Sequence, residues 1–133
     1  MVPRVLRRLR LAARYVALRR HIARAYDERA LDDLLRALDR AAPREIAIAD
    51  ASAAIVLGER IARRARLDPD TCLYRALARY ALLHRAGHAP RFVMGIDEHD
   101  PASGHAWVEL DGAPFLERPL PPYRRTLQHP AGA

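Results

Sequence analysis

Apolar residues recur at helical spacing from the N-terminus to Gly87, and from Pro90 they alternate along short runs bounded by turn residues. A period of three to four places apolar side chains on one stripe of a helix, and a period of two places them on one face of a strand. The chain is therefore helical first and strand-forming afterwards. That order predicts an α+β domain, with N-terminal helices packed on a small antiparallel sheet. With 133 residues it fits a single domain over residues 1–133. A chain of this length can bury roughly two-thirds of its unfolded surface without a disulfide staple. Residues 1–45 form a helical part, 46–118 the core with the chemistry, and 119–133 a Pro-rich tail.

The first helix is expected to turn Val5, Leu9, Ala12 and Val16 inward, flanked by Leu6 and Ala13. The second runs from Asp27 to Ala41 with Leu31, Leu34, Leu35 and Leu38 inside, and Pro43 stops it. The third begins near Asp50 as N-cap and runs to Arg66, burying Ala54, Ile55, Ile61 and Ala65. The fourth starts at Cys72. Asp68 or Asp70 can cap it, Leu73, Ala76, Leu77, Tyr80 and Leu83 share one face, and Gly87 ends it. Strands follow over Arg91 to Ile96, His105 to Leu110 and Ala113 to Glu117. The segment around Pro119, Pro121 and Pro122 cannot continue a sheet and is expected to trail over the surface.

Composition narrows the setting. Cys72 is the only cysteine, so no internal disulfide can form, which points to a reducing, cytoplasmic environment. No run approaches the ~18 uncharged apolar residues of a membrane span. Arg14, Arg19 and Arg20 interrupt the only stretch that could serve as a secretory signal. All 23 basic residues are arginines, and eight of them lie in residues 1–24, which contain no acid; the rest of the chain carries 15 arginines against 16 acids. A basic segment of this kind suits a nucleic acid, an anionic membrane or an acidic partner. The excess of Ala and Arg also follows from a G- and C-rich coding sequence, and no nucleic-acid partner is expected.

The chemistry centres on Cys72. A thiol attacks as thiolate, and a free thiol with pKa ~8.5 supplies little of it at neutral pH. A helix N-terminus favours an anion in the first turn, and a histidine beside the sulfur can take its proton. Of the six histidines, His21 lies in the arginine-rich helix, His99 in a loop and His129 in the tail. His84 and His88 stand ~18 Å or more from Cys72 along its helix. His84 and His88 have metal-ligand spacing, but Gly87 ends the helix between them, so no metal and no cofactor are expected. His105 remains, at the start of a strand. If Leu110-Asp111-Gly112 is a three-residue loop with Gly112 left-handed, Glu109 pairs with Ala113 and His105 with Glu117, with Cβ atoms ~5 Å apart. A two-residue Asp111-Gly112 turn would instead set Glu117 on the wrong side. Glu117 is thus the expected orienting carboxylate. Trp107 is read as core, or as a wall of the substrate site.

With those residues in place the chain resembles the lasso-peptide leader peptidases, small bacterial cysteine proteases of the transglutaminase-like superfamily. The likeness rests on Cys72-Leu-Tyr-Arg-Ala-Leu-Ala, on Leu82-Leu83 and Gly87, on His105-Ala-Trp-Val-Glu, and on the acid twelve residues after the histidine. The resemblance implies a transglutaminase-like, papain-like core with Cys72, His105 and Glu117 as the catalytic residues. The family usually carries Asp where Glu117 stands. It also implies removal of a leader from a ribosomally made precursor peptide. The partners would be a separate leader-binding protein (the recognition element) and an ATP-consuming lasso cyclase. Two alternatives share the sequence: a transglutaminase-type acyl transferase, in which an amine resolves the thioester, and a non-enzymatic basic adaptor that works through residues 1–24.

Overall fold

The computed structural model describes residues 2–26, 29–67 and 69–131. Cys72–Arg85 (α4) is the helix on which the other elements pack. Its eight residues from Ala76 to Leu83 are all buried, as expected of a helix enclosed on every side. Helices Arg4–Tyr26 (α1), Leu31–Asp39 (α2) and Ile48–Ala65 (α3) cover it on one side. A four-stranded antiparallel sheet covers the other, built from Arg91–Asp97 (β1), Gly104–Leu110 (β2), Ala113–Pro114 (β3) and Tyr123–His129 (β4) in the order β3-β2-β1-β4. The α+β architecture expected from the change of period is the one observed. The core joins Tyr15, Leu18 and Ile22 of α1, Leu34, Leu35 and Leu38 of α2, and Leu77 and Leu83 of α4 to Phe92, Ala106 and Val108 of the sheet.

Several local expectations are corrected. The buried stripe of α1 is Leu11, Ala12, Tyr15, Leu18, Ile22 and Ala25, joined by Arg19; Val5 is 70% exposed and Leu9 48%. The helix buries apolar side chains only from Leu11 onward. Its first turns are held instead by Arg4 and Arg8, whose Nε atoms donate to Asp50 Oδ1 at 3.3 and 2.9 Å. Asp50 therefore serves as an ion-pair partner inside the first turn of α3, and Ala47 occupies the N-cap without a side-chain bond. Along α3 the inward residues are Ala51, Ala54, Ile55, Gly58, Glu59 and Ala62, while Ile61 and Ala65 face outward. Asp27, the expected start of the second helix, and Asp68, one expected cap of α4, lie outside the described residues; α2 begins at Leu31, and Thr71 caps α4.

The C-terminal segment does not trail away. From Tyr123 it pairs antiparallel with β1 and forms an edge strand. Prolines cannot donate to a ladder, but Pro119, Pro121 and Pro122 all precede the strand and Pro130 follows it, leaving Tyr123–His129 free to pair. On the helix-facing side of the sheet stand Phe92, Met94, Ala106, Val108 and Leu127, all in contact with the main core. His105, Trp107 and Glu109 alternate with them on β2, as the pleat requires.

Gly58 sets the separation of α1 and α3. A Cβ there would lie 2.6 Å from Tyr15 Cδ1 and 3.2 Å from the Ala12 carbonyl oxygen. The ring cannot retreat, because its hydroxyl donates to Glu59 Oε2 at 2.7 Å. Alanine would ordinarily stabilise a helix interior over glycine by about 1 kcal/mol. Here overpacking outweighs that gain, and Gly58→Ala is expected to destabilise the protein by about 1–2 kcal/mol in urea unfolding.

Candidate active site

Cys72 is the first residue of α4, half-buried at the edge of the main core. Thr71 is extended and its Oγ1 accepts from the Tyr74 amide at 3.3 Å, which fixes the first turn. The amides of that turn make a positive end that favours an anion. Asp70 brings a negative charge next to it, but three arginines engage this carboxylate: Arg75 at 3.0 Å, Arg63 at 3.5 Å and Arg19 at 3.6 Å. Partial burial works against its ionisation, and the arginines more than offset this, so the Asp70 carboxyl is held below the usual carboxylate range. Its charge is already matched before it can oppose a thiolate on Cys72.

The second part of the site comes from the β2–β3 hairpin, whose register differs from expectation. Glu109 pairs with Pro114 and Leu110 with Ala113, so Asp111 and Gly112 form a two-residue turn. Both have positive φ, 54° and 79°, the type I′ geometry that Asp-Gly favours. One more ladder bond follows, from the Phe115 amide to the Val108 carbonyl at 2.8 Å. Continued straight, that register would set Glu117 opposite Ala106. Leu116 prevents it by turning left-handed at φ 53°, an uncommon state for a bulky side chain. The chain is re-aimed, and Glu117 Oε1 comes 3.2 Å from His105 Nε2. The pairing of His105 with Glu117 thus arises from a short turn followed by a backbone kink, not from the three-residue loop read from the sequence.

Aromatic rings back the histidine. His105 stacks on Trp107 at 5.9 Å between centroids and on Tyr123 at 5.8 Å, and Trp107 and Tyr123 lie 5.5 Å apart. Gly95 between them makes this possible: a Cβ there would sit 2.8 Å from Tyr123 Cβ and 3.2 Å from Trp107 Cη2. Trp107 is 3% exposed, so most of its ring serves as a wall behind His105. Its Nε1 donates to Glu109 Oε2 at 3.4 Å, and Glu109 in turn receives Arg125 in two bonds, at 2.9 and 2.6 Å. Arg125 foremost, with Trp107 adding to it, holds the Glu109 carboxyl below its usual range against the opposing effect of burial.

A residue not singled out from the sequence fixes the acid. Arg79 stands seven residues after Cys72, on nearly the same side of α4 two turns along. It donates through Nε and Nη2 to Glu59 at 2.7 and 2.8 Å, and Nη1 reaches the Phe115 and Leu116 carbonyls at 3.4 and 3.3 Å. The same Nη1 lies 3.8 Å from Glu117 Oε1. One guanidinium therefore grips the left-handed kink and sits beside the carboxylate that the kink delivers. Tyr15 completes the group through Glu59; burial foremost, then the Glu59 charge, pushes its phenol above the ordinary range. The signal was present in the sequence as an arginine inside the apolar run Ala76 to Leu83, a position that a buried charge occupies only with a partner.

No hydrogen bond joins the Cys72 thiol to His105 or Glu117 among the described residues. His105 and Glu117 are brought together, and Cys72 starts the helix that packs on β2, the strand carrying His105. Three of the other five histidines are engaged elsewhere: His84 Nε2 with the Asp39 carbonyl at 3.0 Å, His88 Nε2 with the Ile46 carbonyl at 2.8 Å, and His129 Nε2 with Asp39 Oδ2 at 2.7 Å. No group of three or more His, Cys, Asp or Glu able to hold a metal occurs among the described residues.

A family model described as the transglutaminase-like superfamily matches residues 2–128. The chain belongs to the transglutaminase-like superfamily. No curated protein and no solved structure gives a significant match. The superfamily match spans all four helices and nearly all of the sheet, so the arginine-rich α1 and the strand β4 are parts of the transglutaminase-like domain, not additions to it.

Loss of Arg79 strands a buried carboxylate, since Glu59 is 6% exposed. Arg79→Met is expected to lower stability by about 3–5 kcal/mol, whereas Arg79→Met combined with Glu59→Leu recovers much of that loss. Urea denaturation of the two variants measures both.

Proposed function

We propose that this chain is a cysteine peptidase that removes the leader from a ribosomally synthesised lasso-peptide precursor in the cytoplasm. The observation that carries the reading is the His105–Glu117 contact at 3.2 Å, reached through an uncommon backbone state at Leu116. Membership of the transglutaminase-like superfamily supports cysteine chemistry, and the His105-Ala-Trp-Val-Glu and Cys72-Leu-Tyr-Arg-Ala-Leu segments support the narrower assignment.

A carboxylate can only accept, so the proton in the His105–Glu117 bond resides on Nε2. Nδ1 is then the free lone pair and the atom that takes the Cys72 proton. Cys72 Sγ attacks the carbonyl carbon of the last leader residue, and the oxyanion is received by amides of the α4 first turn, the Cys72 N–H among them. His105 returns its proton to the departing amine as the C–N bond breaks, leaving a thioester. Water, activated by His105, hydrolyses the thioester and frees the thiol. Trp107 and Tyr123 hold the imidazole in place throughout, with Trp107 as the wall behind it. A leader-binding protein delivers the precursor, and the exposed amine passes to an ATP-consuming cyclase.

The test starts without substrate. Iodoacetamide at pH 6 is expected to modify wild-type Cys72 at least about tenfold faster than it modifies His105→Ala, with Glu117→Gln in between. Equal rates in all three proteins would remove the proposed nucleophile–base pair. With precursor and leader-binding protein supplied, Cys72→Ala is expected to abolish cleavage while retaining the fold by circular dichroism. A product bearing an added amine in place of a hydrolysed end would assign acyl transfer instead.

A further inference from the structure

The arginines of α1 are sorted by what they face. Arg4 and Arg8 pair with Asp50, and Arg19 is buried against the Pro69 carbonyl and Asp70. Arg7, Arg10 and Arg14 line a groove instead, opposite Arg44 of the α2–α3 connection and Arg85 at the end of α4. None of these five side chains has a carboxylate partner among the described residues. The groove consists of two cavities of about 580 and 400 Å³ that share Leu11, Arg14, Arg44 and Ile46. Its floor is aliphatic, with Leu11, Leu18, Ile46 and Leu82. Bonds from the Arg44 amide to the Arg85 carbonyl at 2.7 Å and from the Ile46 amide to the Ala86 carbonyl at 3.1 Å fix the far wall to α4. Glu45 and Asp50 are the acids on its margin, and Asp50 is already taken by Arg4 and Arg8.

We infer that this groove is an exosite for an acidic, amphipathic segment of the peptide substrate, lying upstream of the scissile bond. The unpaired guanidiniums call for carboxylates, and the aliphatic floor calls for apolar side chains between them. A nucleic acid fits less well, because single strands seat their bases on aromatic platforms, whereas the lining carries no Phe, Tyr or Trp. The groove opens at the C-terminal end of α4, the 14-residue helix that begins at Cys72, so its two ends lie ~20 Å apart at ~1.5 Å per residue. About six extended residues cover that span. One peptide can therefore occupy the groove and present a carbonyl to the thiol, so that docking raises its effective concentration at Cys72. This rests on the cysteine nucleophile proposed above.

The experiment separates the two ideas. A peptide chloromethyl ketone is prepared with a Glu/Leu amphipathic segment, then a Gly/Ser spacer of about eight residues, then the electrophile. A control peptide has Lys in place of every Glu. Each rate of Cys72 alkylation is divided by the same protein's rate with iodoacetamide. The acidic label is expected to react at least about tenfold faster than the basic one, with the advantage lost in Arg14→Glu/Arg44→Glu/Arg85→Glu and reduced at high salt. Equal rates for the two labels, or an advantage that survives in the triple variant, would overturn the exosite. So would suppression by a single-stranded oligonucleotide as strong as that by the free Glu/Leu peptide. Fluorescence anisotropy of the labelled Glu/Leu segment on Cys72→Ala reads the groove alone: arginine-dependent binding with an unreactive wild-type thiol sinks the nucleophile and keeps the groove, and no such binding sinks the groove whatever the thiol does.

Discussion

The Arg79–Glu59 ion pair is the constraint around which the molecule is arranged. A guanidinium in the middle of a helix enclosed on every side has no route to solvent, and its desolvation is tolerable only if each donor finds an acceptor. Burial pulls the Arg79 pKa down, and the Glu59 carboxylate, supported by Tyr15 and Glu117, more than restores it. Satisfying that one side chain requires α3 to present Glu59, α1 to present Tyr15 beside it, and the exit of β3 to turn two carbonyls inward. Three helices and a hairpin are thereby set against one another by a single group. Gly58 follows from the same demand, because Tyr15 reaches Glu59 only if its ring lies flush against α3.

The network also explains how a strained backbone is sustained at the site. A left-handed leucine is costly, and Leu116 gains little from burial, being 41% exposed. What holds it is its carbonyl, bound together with that of Phe115 to Arg79, and its product, the Glu117 carboxylate facing His105. Ion-pair network and site geometry are one structure seen from two ends. The extra methylene of a glutamate, where the resembled family usually has aspartate, is accommodated by this kinked approach.

Much of this was legible before the fold. The change of period at Pro90 marks helices then sheet, and Leu31, Leu34, Leu35 and Leu38 pack inward, Leu31 only in part, because a nine-residue helix with four leucines in one stripe has one way to pack. Register and faces were less accessible. On α1, Val5 and Leu9 are as apolar as Leu18 and Ile22, and only tertiary contact decides that apolar burial begins at Leu11. The hairpin register is hidden because the two-residue turn, which Asp-Gly favours locally, conflicts with a contact that a straight strand cannot make. The kink that reconciles them leaves no mark in the sequence, since nothing about leucine announces positive φ. β4 is masked by the prolines on either side of it, although none lies within Tyr123–His129.

Charge shows the same division between what a residue is and what it meets. The sequence shows eight arginines in the first 24 residues and no acid among them, which reads as one basic helix. Folding separates six of them into different populations: two neutralised by Asp50, one buried beside the loop that leads to Cys72, and three that line an aliphatic groove with Arg44 and Arg85. The neutralised ones are structural, since they hold the otherwise loosely docked first turns of α1. Arg7, Arg10 and Arg14 keep their full electrostatic reach, and they keep it beside apolar surface. A cationic rim over an aliphatic floor selects for both charge and greasiness in whatever it binds. A helix that was merely solvated would have no reason to place its unpaired arginines there.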